Sequence, residues 1–74
     1  MSKHKGVLRH NSQGRYSFED GYYFTSGEPI KILCEEEWIE GRIEFSHYTD
    51  NYYFTNEYGD SIHDLSGIEA EALN

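Results

Sequence analysis

The chain has 74 residues, 36% of them hydrophobic, and carries six basic against fourteen acidic side chains for a net charge of −8. That length builds one small domain, residues 1–74, with 1–4 as a flexible arm, and a chain this short buries only about 60% of its unfolded surface. The composition excludes a membrane-spanning helix, which needs roughly 18 or more apolar residues in a row, and a single cysteine, Cys34, excludes an internal disulfide or a multi-cysteine zinc site. With no apolar stretch after Met1-Ser2-Lys3-His4-Lys5, a secretory leader is not expected, and a reducing cytoplasm is the expected compartment.

Lys5 to Arg9 reads as a first strand, and Asn11-Ser12-Gln13-Gly14 as a turn, because Asn and Gly tolerate positive φ. Arg15 to Glu19 alternates, with Tyr16 and Phe18 on one face, and Asp20-Gly21 is a hairpin turn signal before the β-forming run Tyr22-Tyr23-Phe24-Thr25. Ser26 to Pro29 breaks the pattern. Ile30 to Cys34 resumes it, with Ile30, Ile32 and Cys34 sharing a face, and Glu35-Glu36-Glu37 forms the next turn.

Trp38 to Phe45 is the longest predicted strand. Ile39, Gly41, Ile43 and Phe45 form its core face, whereas Trp38, Glu40, Arg42 and Glu44 face outward. Gly41 within it predicts a bulge where the sheet curls. Such a bulge would let Trp38 plug one end of the fold; without it, Trp38 is an exposed anchor. Ser46 to Asn51 is a loop, Tyr52 to Thr55 a strand and Asn56 to Asp60 a second loop. A turn around Ile62 to Leu65 then leads to a closing strand in which Ile68, Ala70 and Ala72 alternate with Glu69 and Glu71. The sequence Ser66-Gly67-Ile68-Glu69 also has the form of a helix capping box.

Asp20-Gly21-Tyr22-Tyr23-Phe24-Thr25 recurs as Asp50-Asn51-Tyr52-Tyr53-Phe54-Thr55, two equivalent turn-strand pieces expected to be neighbours in the sheet. Five or six short strands without a long helix predict an all-β fold, a small antiparallel barrel with room for a short helical turn near the C-terminus.

Glu28 to Leu33, Trp38-Ile39-Glu40-Gly41-Arg42-Ile43-Glu44, Tyr52-Tyr53-Phe54 and Leu65-Ser66-Gly67-Ile68 together resemble an uncharacterised family, a domain of unknown function found in small proteins of bacteria and mobile elements. The resemblance covers roughly residues 20–73 and implies an SH3-like five- or six-stranded barrel. In that pattern the last strand tends to be basic, whereas this chain has Glu69 and Glu71 there.

No reactive constellation emerges. His4, His10, His47 and His63 form no metal-ligating spacing, and a site gathered from His47, Asp50, Asp60 and His63 is not expected. Cys34, flanked by apolar residues and glutamates, reads as a buried core thiol. Glu40 and Glu44 lie about 13 Å apart along a strand, too far for a glycosidase pair. Catalysis, cofactors and metals are therefore not expected.

Charge and aromatics carry the functional expectation. From Tyr16 onward two cations, Lys31 and Arg42, face all fourteen acids, a net of −12. Binding nucleic acid requires cations that replace condensed counterions, so direct nucleic-acid contact is not expected, nor is a membrane surface; a basic protein partner is. Glu35, Glu36, Glu37, Glu40, Glu44, Glu69 and Glu71 would supply charge, and Tyr22, Tyr23, Tyr52, Tyr53 and Tyr58 contact area. The first expectation is a non-enzymatic inhibitor, a monomer or weak homodimer. It would imitate a nucleic-acid backbone in the basic groove of a nucleic-acid-binding protein, in the anti-CRISPR or anti-restriction manner. The alternative is an SH3-like adaptor that takes a basic peptide in a tyrosine-lined acidic groove.

Overall fold

The computed structural model describes residues 4–73. Eight strands follow in chain order: β1 (Lys5–Val7), β2 (Arg9–His10), β3 (Tyr16–Ser17), β4 (Pro29–Cys34), β5 (Glu37–Ser46), β6 (Asn51–Thr55), β7 (Ser61–Ile62) and β8 (Glu69–Ala72). Six make one antiparallel sheet in the order β1-β8-β4-β5-β6-β7, and β2 pairs with β3 in a separate ribbon. There is no helix among the described residues, and the C-terminal segment is a strand.

The β4–β5 hairpin sets the rest. Its register runs from Cys34↔Glu37 to Pro29↔Arg42, and the alternation of β5 then sorts the side chains. Inward go Ile30 and Ile32 of β4, Ile43 of β5, Phe54 of β6 and Ala70 and Ala72 of β8, all at most 1% exposed. The expected core face of β5 is thus the observed one, although Ile39 and Phe45 at its ends are only half-buried. The ribbon and its neighbours cover this face with Leu8, Tyr16, Phe18 and Phe24, and Leu65 fills the side. Burying a side chain of this size contributes about 1.5–3 kcal/mol, so these few apolar residues carry the fold.

Several expectations change. The first strand is split, because Leu8 turns inward between β1, which pairs with β8, and β2, which pairs with β3. Tyr22 to Thr25 is not a strand. It is held by one bridge, Tyr23 to Ser17, made by the Phe24 N–H on the Tyr16 carbonyl at 3.0 Å and the Phe18 N–H on the Tyr22 carbonyl at 2.8 Å. The two repeat copies are therefore not sheet neighbours, though each places its Phe in the core with no exposed surface. The turn after β4 is two residues, Glu35 and Glu36, and Glu37 already belongs to β5.

The expected barrel is not closed. β1 and β7, the end strands, are three and two residues long and do not pair with each other. Chain between β7 and β8 meets the N-terminal segment and ribbon instead. The Leu8 N–H donates to the Ile68 carbonyl at 2.8 Å, the Gly67 N–H to the Leu8 carbonyl at 2.9 Å, and the Leu65 N–H to the Tyr16 hydroxyl at 3.3 Å. Of the expected N-terminal arm, residues 1–3 lie outside the described residues. His4 is anchored, its carbonyl accepting from the Ala72 N–H at 2.8 Å.

Gly41 marks a close approach, not a bulge, since pairing with β4 continues through it. A Cβ there would collide with the Thr55 carbonyl oxygen and sit 2.6 Å from the Phe54 ring. With no bulge to switch faces, Trp38 stays on the outer face, 46% exposed, and plugs nothing. Cys34 is half-buried at the sheet end, not a fully enclosed core thiol.

Gly41→Ala is expected to lower stability by about 1–3 kcal/mol, the ordinary cost of overpacking a filled core, read as a fall in urea midpoint at unchanged slope. Glu35 and Glu36 hold φ of 51° and 67°, the left-handed geometry a two-residue hairpin turn requires. Replacing them with Asn-Gly is expected to raise stability by about 1 kcal/mol in the same assay.

Candidate interaction surface

The outer face of the sheet carries the charged alternates. Lys5 of β1, Glu71 of β8, Lys31 of β4 and Glu40 of β5 stand in one row across four strands. Lys31 Nζ lies 3.0 Å from Glu71 Oε1 and 5.4 Å from the centre of the Trp38 ring. Along the same face Glu69 opposes Val7, and Arg42 Nε donates to Glu44 Oε2 at 2.8 Å. Glu44 also accepts from the Ser26 hydroxyl at 3.0 Å. Strand alternation thus gathers Glu40, Glu44, Glu69 and Glu71, but Lys5, Lys31 and Arg42 share their face. The result is a mixed-sign ladder. Glu35, Glu36 and Glu37 stand apart, exposed at the tip of the β4–β5 hairpin.

The tyrosines are mostly engaged within the chain. Tyr22 donates its hydroxyl to the Glu28 carboxylate and stacks on His4 with ring centres 4.1 Å apart. Tyr23 and Tyr52 flank the Arg15 guanidinium at 5.2 and 5.7 Å, so one cation links the two repeat copies. Tyr53 stacks on His63 at 4.8 Å. Of the five tyrosines expected to contact a partner, Tyr58 is the one left 82% exposed. Sequence reasoning left Trp38 and Tyr48 out of the contact set, although both are exposed. The signals were present: Trp38 shares the outward parity of Glu40, and Tyr48 sits in a polar turn.

Trp38 and Tyr58 meet at an open groove of about 820 Å³, lined by β5 from Trp38 to Arg42, by Asn56, Glu57 and Tyr58, and by Pro29 and Leu73. Asn56 creates it. The last pair between β5 and β6 is Arg42 with Thr55, after which the chain leaves β5. Asn56 is 7% exposed, and its Oδ1 accepts the N–H groups of Tyr58 at 3.0 Å and Asp60 at 3.1 Å. Its Nδ2 donates to Asp60 Oδ2 at 3.0 Å. This side chain thereby turns the strand aside, a frequent use of Asn. Residues 37–41 of β5 are left paired with β4 alone. Glu40 and Glu57 line the opening, and neither forms an ion pair among the described residues.

Among the described residues no three His, Cys, Asp or Glu side chains gather as a metal site would need, and no helix is long and apolar enough to cross a membrane. His47 packs edge-on against Phe45 at 5.2 Å, and His10 bonds Asn51 at 3.0 Å.

The carboxyl of Asp20 is held below its ordinary value of 3.8, first by the Tyr22 backbone N–H and then by the His4 ring at 2.8 Å. A carboxylate harder to protonate in the folded chain stabilises the fold above the ordinary value. That contribution is lost as pH falls through the lowered one. Asp20→Asn is therefore expected to be less stable than the parent at pH 6, with the gap closing in acid below pH 3.8 when denaturation midpoints are compared across pH.

No curated protein and no solved structure matches the chain. One family model does, over residues 6–72, and its span takes in the N-terminal ribbon as well as the strands that carried the motif resemblance. The chain therefore belongs to the family described as Domain of unknown function (DUF5348).

Proposed function

We propose that this protein is a non-enzymatic acidic interaction module that takes a basic segment of a partner protein in the groove beside β5. One observation carries the proposal. Trp38, Tyr58, Glu40 and Glu57 converge on one groove whose lining cation, Arg42, is bonded to Glu44, while Lys31 meets Trp38 from the β4 side, so among the described residues no cation stands on the open side beside Glu40 and Glu57. Lysine or arginine side chains are the complement of that set, by charge and by contact with the ring faces.

Imitation of a nucleic-acid backbone is the less supported mode. A phosphate array presents anions without interruption, but Lys5, Lys31 and Arg42 interleave the sheet-face glutamates. Side-chain energies set the scale for peptide binding. An exposed cation–π contact is worth about 0.5–1 kcal/mol and a rim ion pair about 0.2–1. A few of each give only weak binding, as a reversible adaptor requires. A reducing cytoplasm suits the free thiol of Cys34.

A labelled lysine-rich peptide is expected to raise its fluorescence anisotropy saturably on titration with the protein, with affinity falling as salt rises. Trp38→Ala and the pair Glu40→Gln with Glu57→Gln should each weaken it about fivefold or more. Glu69→Gln, outside the groove lining, should leave it within about twofold. A peptide that fails to bind, or one weakened equally by all three changes, overturns the groove.

A further inference from the structure

Resting on that reading, we infer the binding mode: an extended basic segment of the partner adds to β5 as an antiparallel strand at Trp38–Glu40, in the lane that β6 vacates after Thr55.

The hydrogen-bonding pattern leads there. Cys34 and Glu37 flank a two-residue turn, so they exchange both main-chain hydrogen bonds. Alternation makes Ile32↔Ile39 and Ile30↔Gly41 bonded pairs, and Leu33↔Trp38 and Lys31↔Glu40 non-bonded ones. The N–H and C=O of Trp38 and Glu40 therefore point away from β4. The far end of β5 obeys the same parity: Ile43 donates its N–H to the Glu28 carbonyl at 3.0 Å, on the β4 side, while Arg42 pairs with Thr55 on the other. At Trp38 and Glu40 no strand of the described residues answers on that other side. Two donors and two acceptors face the groove, and the nearest chain that would have met them has been diverted by Asn56. Sheet edges left in this way are where extended peptides add.

The occupant follows from chemistry already on the other side of the same two residues. Residues of an added strand directly opposite Trp38 and Glu40 lie on the outer face with them. β4 places Lys31 opposite Glu40, with its Nζ 5.4 Å from the Trp38 ring. A lysine or arginine in the added strand repeats that contact from the vacant side, next to Glu40 and Glu57. The residue between two such cations points inward beside half-buried Ile39, where an apolar side chain fits, as Ile32 does from β4. The segment is thus basic–apolar–basic. A second copy of this chain is a poor occupant, because each carries a net charge of −8 and presents Glu37 and Glu40 at this very edge.

The test uses the unmodified protein and a short end-blocked peptide of alternating Lys and Val, with N-methyl groups on either the Lys or the Val amides. Lys residues opposite Trp38 and Glu40 would use their N–H groups in the ladder, and Val residues would not. Methylation at Lys is expected to weaken binding about tenfold or more, and methylation at Val to change it less than about twofold. Glu40→Pro removes the edge N–H without touching the β4 pairing and should weaken the unmethylated peptide beyond the effect of Glu40→Gln. Equal losses from both methylation patterns would overturn strand addition while leaving side-chain binding in the groove intact. No binding of the unmethylated peptide would overturn both proposals. A concentration-dependent dimer that excludes the peptide, seen by sedimentation, would assign the edge to a second copy instead.

Discussion

The register of the β4–β5 hairpin is the constraint from which the molecule follows. Because side chains alternate, Ile39 against Ile32 and Gly41 against Ile30 place the apolar half of β5 inside, and the same pairing puts Trp38, Glu40, Arg42 and Glu44 outside. A slip by one residue would exchange the two sets and bury three charges. The packing of Phe54 over Gly41 resists such a slip, since only a residue without a Cβ leaves room for that ring and the Thr55 carbonyl. Core packing and outer chemistry are therefore two results of one alignment.

The electrostatics of the folded chain differ in kind from its net charge. An excess of eight acids would make a uniform negative field only if cations and anions were segregated. Strand order instead sets Lys5 and Lys31 on either side of Glu71, while β5 carries its own Arg42–Glu44 pair. Exposed pairs of this sort stabilise by less than about 1 kcal/mol each, so their importance lies less in stability than in cancelling the field locally. Arg15 lies against the ring faces of Tyr23 and Tyr52. Attraction for an outside cation is left to the groups these cations do not reach.

Asn56 connects local turn chemistry to the interaction surface. By accepting two backbone N–H groups it holds the chain in a turn away from β5, and it is buried because those bonds satisfy it. Leaving part of a strand edge open carries an aggregation risk that small β proteins usually suppress with charge. Glu37 and Glu40 supply that charge here, and the same charge makes the edge selective for a basic segment.

Period-2 alternation and turn chemistry were legible in the chain itself. They determined the all-β class, the two faces of β5, the hairpin at the glutamate run and the closing strand with Ala70 and Ala72 inside, because each depends on residues a few positions apart. The split of the first strand at Leu8, the loss of strand pairing at Tyr22 to Thr25 and the open ends of the sheet were not legible. Each depends on which distant segment supplies the hydrogen bonds. For the same reason composition marked the acids and tyrosines as one binding set, and folding divided them. Lys31 lies 40 residues from Glu71 and Arg15 37 from Tyr52, and only the tertiary structure brought these groups together and left Glu40 and Glu57 beside the Trp38–Tyr58 groove without an ion pair among the described residues.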